Sequence, residues 1–116
     1  GSPKARAQII NKMKDHVLQW SRHKFASNVC ERACQYGTTE QRTWIIQEIV
    51  TPGPDGVMPL QVMIKDQYAN YVVQKMLDLA TDEQRVVLVN QIRPLIPQIK
   101  RFPYSKHIVA RVEGSK

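Results

Sequence analysis

The stretch "YANYVVQKMLDLATDEQRVVLVNQI" (Tyr68–Ile92) aligns without gaps with "FASNVCERACQYGTTEQRTWIIQEI" (Phe25–Ile49), 43 residues upstream. Shorter pieces of the same unit recur at an offset of 36: "YSKHIVARV" (Tyr104–Val112) matches its start, and "RAQIINKM" (Arg6–Met13) matches its end. The seven additional residues of the longer interval are assigned to "TPGPDGV" (Thr51–Val57), where Pro and Gly indicate a loop. A period near 36 residues with an insertion confined to a loop is typical of a helical repeat array.

Each unit is predicted to contain three helices, so the chain is all-α. The second helix begins near Phe25, Tyr68 and Tyr104, and the third helix follows a Thr-x-x-Gln capping box at 38–41 and at 81–84. The short first helix carries an apolar pair spaced i, i+3 in every unit, namely Val17 and Trp20, Leu60 and Met63, and Ile96 and Ile99.

The predicted boundaries follow from this alignment. Residues 3–113 form the repeat array, and residues 1–2 and 114–116 are interpreted as a tag remnant or tail. Within the array we expect the last helix of a preceding unit (3–13), a full unit (14–50), an inserted loop (51–57), a second full unit (58–93) and a capping half-unit (94–113).

Composition narrows the class of protein further. Seventeen Lys and Arg against ten Asp and Glu give a net charge of +7, which favours polyanions, although many soluble proteins are as basic. No apolar run approaches the roughly 20 residues of a membrane span, and no signal-peptide pattern is present, so we expect a cytoplasmic location without membrane contact.

No motif indicates catalysis, a metal or a cofactor. Cys30 and Cys34 are four residues apart on one helix, which is poor geometry for a disulfide and matches no zinc-ligand spacing. They are predicted to be buried small hydrophobic residues. We interpret the chain as a binding protein and not an enzyme.

One side of the second helix is polar and is not expected to pack in the core. At 100° per residue, Ala69, Val72, Val73, Met76 and Leu77 share the packing side. An ordinary solvated face would favour Lys and Glu. This side instead carries short polar residues that can form directed hydrogen bonds, at equivalent positions in both units, and it includes an aromatic ring. We therefore predict an open binding ridge made of Asn70, Tyr71, Gln74, Lys75 and Asp78, with Ser27, Asn28, Glu31, Arg32 and Gln35 at the equivalent positions of the preceding unit.

At these residues the chain resembles the Pumilio family of single-stranded RNA-binding proteins. "HKFASNVCER" (23–32) and "KDQYANYVVQKM" (65–76) are similar to the second helices of the family's seventh and eighth repeats, and "YSKHIVARVE" (104–113) resembles its capping half-repeat. The resemblance implies a right-handed α-solenoid of three-helix repeats. Each repeat reads one base of an RNA strand that runs antiparallel to the protein.

The resemblance also implies roles for the motif residues. Ser27 and Glu31 would contact one base edge, and the two carboxylate acceptors of Glu31 suit the adjacent N1–H and N2–H donors of guanine. Asn70 and Gln74 would contact the other edge; their chemistry permits several bases, and the code of the family selects uracil. The expected RNA is the 5′-UG step of a UGUA element in mRNA 3′ untranslated regions, bound for post-transcriptional repression.

Further contacts are carried over from the same motif. Tyr71 and Asn28 are expected to stack on bases, and Tyr104 or His107 to cover the outer face of the uracil, with a helix-packing role as the alternative for His107. Arg32 and Lys75 are expected to reach bases or phosphates.

Two alternatives remain open from the sequence. The chain could be a protein-binding solenoid of the armadillo or HEAT type, although Glu31 and Gln74 at the edge-reading positions favour RNA. Protein partners could also bind the convex face or the 51–57 loop, where a neutral insertion is the simpler interpretation.

Overall fold

The computed structural model describes residues 2–114, and these form helices and loops with no β-strand among them. The α-helices are α1 (Pro3–Met13), α2 (Val17–Ser21), α3 (Ala26–Tyr36), α4 (Thr39–Val50), α5 (Pro59–Met63), α6 (Ala69–Leu79), α7 (Asp82–Ile92), α8 (Ile96–Ile99) and α9 (Lys106–Glu113). Short 3-10 turns cover Arg93–Leu95 and Pro103–Ser105. The all-helical repeat fold is confirmed. The suggested tag residues 1, 115 and 116 lie outside the described part.

Equivalent helices of successive units lie side by side. α6 packs against α3 on one side and against α9 on the other, and we call these three helices the second-helix row. α4 packs against α7, while the short α2 contacts α3, α4 and α5. The described residues extend 41 × 27 × 25 Å, as expected for units stacked in one direction.

The predicted packing side of α6 forms the centre of the core. Ala69, Val72, Val73, Met76 and Leu77 are all between 0 and 1% exposed, so this prediction is confirmed. Val72 and its equivalent Val29 differ: α3 covers Val72, whereas no second helix precedes α3 in this chain, and Val29 is 39% exposed.

Hydrogen-bonded capping boxes fix the starts of α4 and α7. The predicted capping boxes are both present: the Thr38 hydroxyl accepts from the Gln41 N–H at 3.0 Å, and the Gln41 side chain accepts from the Thr38 N–H at 2.9 Å. Thr81 and Gln84 form the same pair of bonds. The Gln84 amide also donates across units to the Thr43 hydroxyl at 2.8 Å, so the cap of α7 is tied to α4.

An arginine in α4 and another in α7 each donate hydrogen bonds to carbonyl oxygens at the end of the preceding second helix. Arg42 Nη1 donates to the carbonyl oxygens of Cys34 and Gly37 at 3.2 and 2.8 Å, and Arg85 Nη1 donates to that of Leu77 at 2.7 Å. These carbonyls have no partner within their helices, so a cationic donor stabilises them. At Gly37 a Cβ would lie 2.5 Å from the Ala33 oxygen, which explains the glycine at this tight turn.

The two cysteines are free and buried, as predicted. Burial raises the pKa of Cys34 to about 12 and also raises the pKa of Cys30. Both side chains are therefore protonated near neutral pH and pack as small hydrophobic groups.

Candidate nucleic-acid interface

The two predicted base-reading motifs lie on neighbouring helices of the second-helix row. Ser27 and Asn70 each occupy the second residue of their helix, one on α3 and the other on α6. Glu31 and Gln74 follow one turn later, on the same face of each helix. Because α3 and α6 pack directly against each other, the structure brings the two motifs together.

Asn70 is buried and hydrogen-bonded, with only 2% of its surface exposed. Its Nδ2 donates to the carbonyl oxygens of Asp66 and Gln67 at 2.7 and 3.1 Å, and its Oδ1 accepts from Gln74 Nε2 at 2.9 Å. The prediction of a fully open polar side is wrong at this position, because the amide turns back to the carbonyls that precede the helix. Gln74 is only half-buried and remains accessible.

Ser27 occupies the equivalent position and is also buried, at 4% exposed. Its hydroxyl donates to the carbonyl oxygen of Lys24 at 3.2 Å, so the open-side prediction is wrong here too. Glu31 differs from Gln74: its half-buried carboxylate forms no hydrogen bond or ion pair with any residue from 2 to 114. Its acceptor oxygens are therefore available to a ligand.

The predicted stacking residues are all exposed. Tyr71 is 53% exposed and Tyr104 is 47% exposed, and Asn28 and His107 are exposed as well. The alternative for His107, a helix-packing role, is wrong because this side chain lies outside the core. An exposed ring beside a polar ridge offers a surface on which a planar base can stack.

Lys75 lies on α6, which packs against the preceding second helix α3, whereas Arg32 lies on α3, which has no preceding second helix in this chain. Lys75 is half-buried near Cys34 of α3. Arg32 is exposed and lines a groove between α1 and α3 with Val29 and Tyr36. Their contacts with bases or phosphates stay a prediction.

Sequence reasoning missed the residues that open the second helices. Asp66 Oδ2 accepts from the N–H groups of Tyr68 and Ala69, both at 2.9 Å. In the preceding unit, His23 Nδ1 accepts from those of Phe25 and Ala26 at 3.1 and 3.2 Å. The available signal was a side-chain acceptor two residues before each aromatic residue, a position where it can satisfy free helix N–H groups.

Two further findings concern other classes of site. Between residues 2 and 114, no three His, Cys, Asp or Glu side chains are grouped so that they could hold a metal ion. In the same range, every helix is too short or too polar to cross a membrane.

The geometry defines a helical-repeat protein with a polar, aromatic ridge on its second-helix row. The family model described as "Pumilio-family RNA binding repeat" matches residues 16–50 and 62–93, which is more than half of the chain. The chain belongs to this family. Membership decides against the armadillo or HEAT alternative.

Relatives and solved structures agree with this assignment. "mRNA-binding protein PUF3" of Saccharomyces cerevisiae is 34% identical over 81% of this chain and 11% of its own length. "Pumilio homolog 2" of Xenopus laevis is 44% identical over 63% of this chain and 6% of its own length.

Among solved structures, PUF-8 in complex with PBE-RNA superposes with a TM-score of 0.88 at 38% identity. It covers 97% of this chain, which in turn spans 33% of that one. The Puf3 RNA-binding domain bound to site A of the Cox17 RNA 3′ UTR gives a TM-score of 0.75 at 33% identity, over 89% of this chain and 31% of that one. The chain thus spans about a third of the solved domains that it matches.

Proposed function

We propose that this chain is part of a sequence-specific single-stranded RNA-binding array and reads a 5′-UG step. The observation that carries the proposal is the pair of motifs on α3 and α6, which are adjacent in space and differ in the chemistry of their last residue. The carboxylate of Glu31 has only hydrogen-bond acceptors, whereas the amide of Gln74 has both donors and an acceptor.

Guanine is the base that suits Glu31. Its N1–H and N2–H groups are adjacent donors, and the Glu31 carboxylate has no competing partner among residues 2–114. The acceptors of the pyrimidines, which are O2 and O4 of uracil and N3 and O2 of cytosine, would face the carboxylate unfavourably. Leaving such polar groups unpaired costs about 1–3 kcal/mol each.

Uracil is proposed for Gln74. The bond from Gln74 Nε2 to Asn70 uses one amide hydrogen and leaves the other hydrogen and Oε1. This donor and acceptor complement a carbonyl oxygen and the N3–H of uracil. Other bases present a similar pair, and it is membership in the Pumilio family that favours uracil.

The larger biological setting is part of the same proposal. Antiparallel binding orders the two bases as 5′-UG-3′, the start of a UGUA element. One relative carries the name of an mRNA-binding protein, and a solved relative is bound to a 3′ UTR sequence. These names support binding to mRNA 3′ untranslated regions. We extend the proposal to post-transcriptional repression in the cytoplasm, without a catalytic step.

A test of the guanine assignment exchanges one motif for the other. In the double variant Ser27→Asn with Glu31→Gln, the preference at the second base should move from guanine toward uracil by about tenfold, because the acceptor-only group is lost. NMR titration with the short RNAs UGUA and UUUA measures both affinities, including dissociation constants of millimolar order.

Glu40→Gln on α4 is the matched control, because it removes the same charge from an exposed site away from the ridge. An unchanged base preference in the double variant would refute the assignment of guanine to Glu31. Submicromolar binding by the unsubstituted chain would contradict a site of about two bases, since few contacts must offset the cost of association.

A second test concerns the stacking ring. Tyr71→Ala should weaken RNA binding by about 1–3 kcal/mol, roughly 5- to 150-fold, because an exposed aromatic stacking surface is removed. Tyr71→Phe should retain most of the affinity, since the ring remains. Tyr36→Ala serves as control, because Tyr36 is 59% exposed but lies at the far end of α3 from the motif. Equal binding by the Ala and Phe variants would rule out stacking at this position.

We also propose a protein-binding role for the side of the chain next to the inserted loop. A groove of about 790 Å³ lies between α1, α2, α4 and the loop. Trp44, which is 51% exposed, lines it together with Leu18, Pro54 and Pro59. A large exposed apolar side chain in a groove suits an apolar side chain of a partner peptide.

This role is tested with a photo-cross-linking amino acid at position 47, which is exposed and lines the same groove, and at the exposed position 86 as control. We expect one discrete cross-linked protein at position 47, lost when Pro52 and Pro54 are both replaced by Ser. Equal cross-linking at both positions, or a product that does not depend on the loop, would contradict the proposal.

A further inference from the structure

A cation in one unit contacts the residue that opens the second helix of the next unit. Arg22 Nε lies 3.1 Å from Asp66 Oδ1, and the Lys65 ammonium lies 5.2 Å from the centre of the Phe102 ring. Arg22 and Lys65 are equivalent in the repeat alignment, as are Asp66 and Phe102. The same two positions are therefore linked twice, once as an ion pair and once as a cation–π contact.

The Arg22–Asp66 ion pair is connected, through Asp66, to the side chains proposed to read uracil. Asp66 caps α6 with its Oδ2, and its main-chain oxygen accepts from Asn70 Nδ2 at 2.7 Å. Asn70 Oδ1 in turn accepts from Gln74 Nε2. Two sets of hydrogen bonds, joined through the covalent structure of Asp66, thus connect Arg22, at the end of α2, with the amide of Gln74.

The burial of the members suits a positioning role. The Asp66 side chain is only 12% exposed, whereas that of Arg22 is 55% exposed. Both oxygens of the carboxylate are hydrogen-bonded, one to Arg22 and the other to two main-chain N–H groups. Removing Arg22 would leave Oδ1 without this partner, and the carboxylate could rotate at the base of the helix.

We propose that Arg22 is a positioning residue for uracil recognition. It belongs to the unit that reads guanine, yet through Asp66 and Asn70 it orients the Gln74 amide in the next unit. The proposal rests on the proposed RNA-binding function and adds to it a specificity determinant outside the base-reading motif. It also makes recognition of one base depend on the neighbouring unit.

Two other roles for Arg22 make different predictions. An exposed arginine that bound an RNA phosphate would strengthen binding to all sequences equally and add to its salt dependence. An ion pair that served only folding would change thermal stability without changing base preference, and exposed pairs contribute little to stability.

The test compares discrimination at the two bases by NMR titration of the chain. The RNAs are UGUA, CGUA with the uracil changed, and UUUA with the guanine changed. In Arg22→Gln we expect the preference for UGUA over CGUA to fall about threefold to tenfold, which lies within the range of coupling energies between groups in one network. The preference for UGUA over UUUA should change by less than about twofold, because Glu31 lies outside these two sets of bonds.

Four further variants complete the experiment. Arg22→Lys should retain much of the uracil preference, and Asp66→Asn should lose it to the same extent as Arg22→Gln. The double variant Arg22→Gln with Asp66→Asn should lose no more than either single variant, because both changes break the same connection. Lys4→Gln, which removes an exposed charge from α1, should change neither preference.

A readout in the absence of RNA checks the geometry directly. The Asn70 and Gln74 side-chain amide resonances of the free chain should shift in Arg22→Gln and stay in place in Lys4→Gln. Equal weakening for all three RNAs, with a salt dependence reduced by about 0.7 in logarithmic slope, would instead assign Arg22 to a phosphate and overturn the proposal.

Failure of the two proposals can be told apart. If the unsubstituted chain distinguishes the RNAs but Arg22→Gln retains the same uracil preference and the same amide resonances, the positioning role is wrong while the RNA-binding function stands. If the unsubstituted chain binds all three RNAs equally, the proposed function is wrong, and the positioning role fails with it.

Discussion

The packing of each second helix against the next is the constraint on which the rest of the structure depends. A single unit has an apolar face that it cannot cover alone, so α6 buries its Val72 side against α3. The same contact sets the distance between the two motifs that we propose to read bases. The packing that stabilises the core therefore also fixes the spacing of the two motifs that we propose to bind RNA.

Polar contacts at both ends of the second helices make that packing specific. At the start of α6, Asp66 accepts from main-chain N–H groups, and at its end Arg85 donates to the Leu77 carbonyl. Each end is thus satisfied by a side chain from a neighbouring segment, and this limits rotation of the helix about its axis. A fixed rotation would keep Tyr71 and Gln74 in place for the RNA binding that we propose.

Much of the architecture could be predicted from the sequence because it repeats locally. The three-helix unit, the capping boxes at Thr38 and Thr81 and the buried side of α6 depend on spacing within one segment, and all three predictions are confirmed. Periodicity carries this information because helix geometry is regular.

The conformation of the site could be predicted only in part. A helical projection gives the direction of Asn70 and Ser27 from the axis, but it cannot show that both side chains bond back to preceding carbonyls and become buried. The pairing of Arg22 with Asp66 joins two units and has no signature within either one. Such contacts depend on how units stack, which a single sequence without its three-dimensional arrangement does not specify.

The central claim is that adjacent motifs on α3 and α6 read guanine and uracil through Glu31 and Gln74. The most direct measurement is the affinity of the unsubstituted chain for UGUA and for all single-base changes at its first two positions, obtained by NMR titration. The account predicts that UGUA binds most tightly and that the largest shifts fall on Glu31, Tyr71 and Gln74. Equal affinities for UGUA and UUUA, or shifts confined to other helices, would contradict it.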